Sequence, residues 1–178
     1  MKKRLVGFVA AAFFAVTALM AMEAVHTLHG TVSRVDAAAK TILVKTADGA
    51  EHVLHFTGKT AVHGAKDAAK ESWRGLREGS EVIAHYTVKG TDETALEIGK
   101  VGKDGLKEMD GAVTHVDKAA KTVTVKSADG TEHVLRATDH ALADLGGDTA
   151  KAATKTGKVT VYYTEAGGRK VAHFFKSL

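Results

Sequence analysis

Histidine is the reactive residue type that stands out in this chain. The sequence has ten histidines and no cysteine among 178 residues. Imidazole nitrogen is a good ligand for Zn, Cu(II) and Ni, whereas the lack of cysteine excludes disulfides, thiolate metal sites and thiol chemistry. The histidines are concentrated in the first half of the chain, at His26, His29, His52, His55, His63 and His85.

Four of these histidines form the predicted metal set. They are His26, His29, His52 and His55, and they lie on two predicted strands. Side chains alternate between the faces of a strand, so His52 and His55 point to opposite sides, and on an ideal strand so do His26 and His29. A bend in the first strand would bring His26 and His29 together. The alternative is a set of solvated histidines on a barrel surface.

Catalytic motifs are absent from the sequence. Neither a Gly-x-Ser-x-Gly nucleophile elbow nor a glycine-rich phosphate loop before a helix occurs. The pairs Asp48-Gly49 and Asp129-Gly130 are typical of tight hairpins, so these carboxylates are predicted to shape turns. We therefore expect a protein without enzymatic activity.

The elements that must position the histidines come from a stretch that occurs twice. Residues 30–54 and 111–135 are identical at 17 of 25 positions, at a constant offset of 81. Such a repeat predicts two copies of one small domain. His52 and His133 take equivalent places in the copies, with the parity of the inward face, and each is predicted to bond to a loop carbonyl at a barrel end.

Each copy shows the apolar alternation of five β-strands. In the first strand of each copy two valines lie three residues apart, Val32 and Val35 in one and Val113 and Val116 in the other. Strict alternation would place them on opposite faces, so the spacing predicts a bulge. The predicted strands cover residues 26–36, 41–45, 51–57, 81–88 and 93–101, then 106–117, 122–126, 132–138, 158–164 and 170–176.

Helical spacing interrupts the strands between the third and fourth of each copy. It runs from Ala65 to Leu76 in the first copy, where Trp73 is predicted to plug one end of the core, and a shorter helix is predicted around residues 148–155 in the second. Five strands with a helix between the third and fourth is the order of the OB-fold. The predicted fold class is therefore all-β, with two tandem five-stranded OB-like barrels after an N-terminal signal helix.

The strand motifs carry a family resemblance. The pattern Gly-x-Val-x-x-Val-Asp, then Lys-Thr-Ile/Val-x-Val-Lys and later Gly-x-x-Val, resembles small exported bacterial OB-like barrels over about residues 26–176. That group includes domains of unknown function and the periplasmic copper/silver chaperones, and the resemblance implies the fold. Those chaperones hold Cu(I) or Ag(I) with a His, two Met and a Trp. Here the mature chain retains at most Met22 and Met109, so that activity is not implied.

Residues 1–24 have the layout of a secretory signal peptide. Residues 2–4 are basic and residues 5–22 form an uncharged apolar run. We expect cleavage after Ala21 or Ala24 and a periplasmic or secreted protein, with a retained signal anchor as the alternative and the only expected link to a membrane. The predicted organisation is a signal peptide at 1–24, a barrel at 25–101, a linker at 102–106 and a barrel at 107–178.

The mature chain is close to electrically neutral. The whole chain has 25 basic and 21 acidic residues, but three of the basic residues and none of the acidic ones lie in residues 1–21, which leaves 22 against 21, a net charge of +1. Binding to a phosphate backbone requires a basic excess. Nucleic acid is therefore not an expected partner, although many OB-folds bind it.

These observations predict an exported, non-enzymatic binding module, whose partner is an unknown small ligand or an envelope protein. A second hypothesis is a periplasmic protein that binds Zn, Cu(II) or Ni through the predicted metal set, with that divalent metal as its only cofactor. A third is an OB-fold that binds an oligonucleotide or another polyanion.

Overall fold

The computed structural model of the protein describes residues 23–65, 72–103, 105–146 and 157–178. Residues 1–22 of the predicted signal peptide at 1–24, half of the first predicted helix (residues 66–71) and the whole of the second lie outside the described residues. Within the described ranges, no helix is long and apolar enough to cross a membrane.

The first half of the chain closes into a barrel. Its strands are β1 (Val25–Asp36), β2 (Thr41–Thr46), β3 (Glu51–His55), β4 (Ala61–His63), β5 (Glu81–Lys89) and β6 (Asp92–Lys100). The antiparallel order β3-β2-β1-β5-β6 is closed by parallel pairing of β3 with β6, and the short strand β4 pairs with the same β6. A closed barrel leaves no long exposed edge for pairing with other chains.

The second half repeats the arrangement. The strands are β7 (Lys107–Asp117), β8 (Thr122–Ser127), β9 (Glu132–Ala137), β10 (Lys158–Ala166) and β11 (Arg169–Ser177). They close in the order β10-β11-β9-β8-β7, with β9 and β11 as the parallel pair. The prediction of two five-stranded barrels is therefore confirmed, and β4 is an additional strand that the apolar alternation did not predict.

The predicted bulge is present in both first strands. The register of β1 against β2 shifts between Val32 and Arg34, and that of β7 against β8 shifts between Val113 and His115. The extra residue turns both valines of each pair toward the interior, and it bends the strand so that one strand can serve both sides of a barrel.

The helices among the described residues are short. The described part of the first predicted helix is α1 (Ser72–Gly75), in which Trp73 and Arg74 depart from helical backbone angles. Trp73 packs edge-on against Phe56, with ring centroids 4.2 Å apart, on the edge of the first core, as predicted for a plug. A helix that the sequence analysis did not predict, α2 (Asp139–Asp144), begins with Thr138 as its N-cap.

The two barrels have separate cores and pack directly against each other. A third apolar cluster lies at the junction and consists of Ile83, Val101, Leu106, Tyr162 and Phe174, all buried. Leu106 of this cluster lies close to the end of β6, since Leu106 N donates to Lys100 O at 2.6 Å. The outward faces of β5 and β10 are therefore covered by the opposite barrel.

Gly99 allows this close packing, and substituting it should loosen the junction. A Cβ atom at Gly99 would lie 2.3 Å from Leu106 Cδ1 and 2.8 Å from Phe174 Cε2. We expect Gly99→Ala to lower the free energy of unfolding by about 1–3 kcal/mol, the usual cost of overpacking. Gly58→Ala is the matched control, because a Cβ there meets nothing within 4 Å, and it should be neutral or slightly stabilising. Urea unfolding measures both, and equal effects would contradict this role for Gly99.

Candidate metal centre

The four histidines of the predicted metal set lie around the first barrel. His26 packs on Tyr86 with ring centroids 5.5 Å apart. His52 Nδ1 lies 2.8 Å from Glu93 Oε1, and His55 is exposed. His29 Nε2 lies 3.0 Å from Glu81 Oε1, but the angle does not make a hydrogen bond, so this buried nitrogen has no hydrogen-bond partner among the described residues.

The structure does not gather these four side chains around one point. His26 and His52 both lie against Tyr86, but no group of three histidines, aspartates or glutamates with metal-ligand spacing includes any of the four within the described residues. Binding of metal by this set stays a prediction.

The prediction for the equivalent residues His52 and His133 was wrong about the partner. His52 bonds to the Glu93 carboxylate, and His133 lies 3.2 Å from both Ser127 Oγ and Lys170 Nζ. Both histidines are half-buried, as their inward parity implies. Side chains of neighbouring strands, rather than loop carbonyls, reach them because the barrel ends are lined by polar residues.

A different cluster of histidines lies at the junction of the two barrels. It contains four histidines and two carboxylates, drawn from both halves of the chain. We call it the junction cluster: His63, His85, Glu97, His140, Asp144 and His173.

The centre of the junction cluster is Glu97 on β6. Its neighbours are set by sheet register, because β4 runs beside β6 and His85 on β5 is directly opposite Glu97. Glu97 Oε2 lies 3.0 Å from His63 Nε2, while Oε1 lies 2.8 Å from His85 Nδ1 and 3.2 Å from His140 Nδ1. Burial, the largest effect, raises the pKa of Glu97, but the hydrogen bonds from His63 and His85 outweigh it and lower the pKa to about 2. Glu97 is thus an anion at every ordinary pH.

His85 is completely buried between two carboxylates. Its Nδ1 faces Glu97, and its Nε2 lies 2.7 Å from Asp144 Oδ1 on the other barrel. Burial is the largest effect and lowers the pKa of His85, but the hydrogen bonds to Asp144 and Glu97 together raise it to about 9. At neutral pH this imidazolium donates both of its N–H groups, and it connects the two barrels.

Asp144 is held in place from three directions. It lies at the end of α2, where its carboxylate also accepts hydrogen bonds from Thr27 Oγ1 and from the backbone N–H of Phe175, both at 2.8 Å. Thr27 belongs to the first barrel and Phe175 belongs to the second. The side chain therefore fixes α2 against β1, β5 and β11 at once.

His173 is a neutral imidazole with one free nitrogen. It stacks on His63 with ring centroids 4.0 Å apart, and its Nε2 lies 2.9 Å from Thr164 Oγ1. Its Nδ1 is buried and has no hydrogen-bond partner among the described residues. Burial, and after it the charge of His63, lower the pKa of His173 to about 4, against the attraction of Glu97. A buried lone pair without a donor is costly, and it is the form in which imidazole binds a metal.

The junction cluster contains two groups with the spacing of metal ligands. In each group one atom per residue can be chosen so that all of them lie within 4.8 Å of one another. One group is His63, Glu97 and His173, and the other is His85, Glu97 and His140. Each group combines two residues of the first barrel with one of the second.

Comparisons with known proteins find similarity of fold only. No family model and no curated protein matches the chain. Solved structures of CusF do match: a crystal structure of Ag(I)-CusF is 16% identical, with a TM-score of 0.34, over 44% of this chain and 99% of that one. An apo-CusF structure from Escherichia coli is 18% identical, with a TM-score of 0.35, over 48% of this chain and 98% of that one. Distant similarity to the copper/silver chaperones, which the strand pattern predicts, is thus found at low identity and over part of the chain. Similarity at this level says nothing about what this chain binds.

Sequence reasoning did not predict the junction cluster, and neither Glu97 nor Asp144 was among its candidate site residues. One signal was available: the runs Val82-Ile83-Ala84 and Val161-Tyr162-Tyr163 are apolar without alternation. Such runs indicate strands buried on both faces, and a polar residue such as His85 within one of them must have a buried partner.

Proposed function

We propose that this protein is a non-enzymatic binding module that takes a divalent transition-metal ion between its two barrels, on His63, Glu97 and His173. One observation carries the proposal. His173 has a buried nitrogen without a hydrogen-bond partner among the described residues, and it lies in a group with Glu97 and the stacked ring of His63 that has the spacing of metal ligands. A bound ion would satisfy that nitrogen and balance the Glu97 charge.

The surroundings of His173 support this assignment. A histidine that binds metal almost always donates its other ring N–H to an acceptor that fixes its orientation. Thr164 Oγ1 takes that place at His173 Nε2, so Nδ1 is the nitrogen left for the ion. Three protein ligands also leave coordination positions open for water or for a small ligand.

The donor atoms indicate which metals would bind. Two imidazole nitrogens and a carboxylate oxygen suit Zn, Cu(II) or Ni, whereas Cu(I) and Ag(I) favour sulfur. The chain has no cysteine, and the junction cluster contains no methionine. Together with the signal-peptide layout of residues 1–24, this chemistry supports a metal-binding role outside the cytoplasm.

Titration calorimetry with Zn²⁺, Cu²⁺ and Ni²⁺ at pH 7.5 tests the proposal on the full mature chain. We expect one of these ions to bind tightly in its first equivalent. His63→Gln and His173→Gln should each weaken that step by at least about 10–100-fold, the loss already produced by removing outer-shell partners. The same ion at 100 times its dissociation constant should stabilise the folded protein by about 2.7 kcal/mol.

The control is a triple variant of the predicted metal set: His26→Gln, His29→Gln and His55→Gln together. It should retain the first equivalent unchanged. Loss of binding in this control, with His173→Gln unaffected, would move the site to the first barrel. Lack of uptake of all three ions by the wild-type chain would refute the proposal.

A further inference from the structure

We propose that Glu97 is a bridging ligand and that the junction cluster takes a second metal ion on His85, Glu97 and His140. The inference rests on the proposed function, because the first ion occupies His63, Glu97 and His173. The result is a pair of ions side by side, each held by residues of both barrels.

The two oxygens of Glu97 face different histidines. Oε2 lies 3.0 Å from His63, and Oε1 lies 2.8 Å from His85 Nδ1 and 3.2 Å from His140 Nδ1. One carboxylate whose oxygens serve separate ligand sets is suited to join two ions, which in two-metal sites lie about 3.5–4 Å apart.

The proposed site of the second ion also has residues that hold its metal-binding histidine in place. His85 Nε2 lies 2.7 Å from Asp144 Oδ1, which is the carboxylate–histidine arrangement that orients metal-binding imidazoles. Asp144 is itself fixed by Thr27 Oγ1 and the Phe175 N–H. The His85 ring also lies against Phe174, with centroids 4.5 Å apart, so it has little freedom to turn.

The second ion takes the place of the hydrogen that His85 Nδ1 shares with Glu97 Oε1, as the first ion takes the place of the hydrogen between His63 Nε2 and Glu97 Oε2, and each proton leaves to solvent. The second ion also enters beside a bound cation that repels it, so its binding is weaker than that of the first ion. His140 completes the set from α2, and it is the most accessible member, with 40% of its side chain exposed. Ions thus enter from the side of α2.

Titration of the full chain with Cu²⁺, followed by calorimetry and electron paramagnetic resonance, tests the inference. We expect two equivalents in the wild-type chain, with a second step weaker than the first. Two Cu²⁺ ions bridged by a carboxylate are magnetically coupled, so the signal of an isolated ion seen after one equivalent should diminish after two. His140→Gln should bind one equivalent and keep the isolated signal at any higher Cu²⁺ concentration.

His115→Gln is the matched control, because His115 is an exposed histidine of the same barrel, and it should retain two equivalents and the coupled signal. A wild-type chain that binds one equivalent, with His140→Gln unchanged, would overturn the second position while leaving the first intact. Two equivalents without magnetic coupling would also overturn it, since the ions would then lie far apart. A chain that binds no metal would remove both the inference and the proposed function.

Discussion

Replacing Glu97 by alanine is expected to lower the free energy of unfolding of the metal-free protein by about 3–5 kcal/mol, the usual cost of removing one partner from a buried ion pair. Glu97 is 4% exposed and contacts His63, His85 and His140. Without it the buried imidazolium of His85 keeps only Asp144, and the two barrels lose part of their polar connection. Guanidinium unfolding in the presence of a chelator measures the change.

Glu93→Ala is the matched control for this experiment. Glu93 lies on the same strand and bonds to a histidine, His52, at the same 2.8 Å distance, but their side chains are 20% and 23% exposed. Partial access to water weakens such a pair, so we expect a loss of about 1 kcal/mol or less. A loss as small for Glu97→Ala would show that the junction cluster contributes little to stability.

The stability of the metal-free protein is expected to be greatest near pH 6.5 and to fall on both sides. On the acidic side the unfolded chain binds more protons, because the pKa of His173 is about 4 in the folded protein and about 6.5 when unfolded. Stability is then lost as the pH falls from about 6.5 to 4. The loss is about 1.4 kcal/mol per pH unit from this residue alone.

On the alkaline side the folded chain binds more protons, because the pKa of His85 is about 9 in the folded protein. The stability that the raised pKa of His85 contributes is fully present below about pH 6.5 and is lost as the pH rises to 9. Glu97, with a folded pKa of about 2, contributes stability above about pH 4.5 that is lost only in stronger acid.

Chemical unfolding from pH 4 to pH 9, with a chelator present, measures the free energy of unfolding on the acidic limb and on the alkaline limb of this pH profile, below and above about pH 6.5. His173→Gln should reduce the fall in stability on the acidic limb and leave the alkaline limb unchanged, whereas His85→Gln should reduce the fall on the alkaline limb. His115→Gln, at an exposed position, should change neither. An acidic limb unaltered in His173→Gln would contradict a buried, neutral His173.

The architecture of each barrel was accessible from the sequence because its determinants are local. Valines three residues apart predicted the bulges after Val32 and Val113, and Asp-Gly pairs predicted the hairpins at Gly49 and Gly130, whose φ angles are positive. The repeat then extended each assignment to the other copy. The strand β4 and the helix α2 escaped prediction because three and six residues carry too little periodicity to register.

Sequence by itself determined the two barrels, the bends in their first strands and the availability of histidine for metal chemistry. Only the tertiary structure decided which histidines meet. Alternation along a strand only separates residues that point inward from residues that point outward, and in the structure His85 and Glu97 lie outside the first core, at the junction. Whether that outside faces water or another barrel depends on contacts between residues 59 and 117 positions apart, such as His85 with Asp144 and Thr27 with Asp144. The packing of one barrel on the other buries two outward faces. This burial brings the six residues of the junction cluster together, shifts the pKa values of His85, Glu97 and His173 and creates the proposed metal sites.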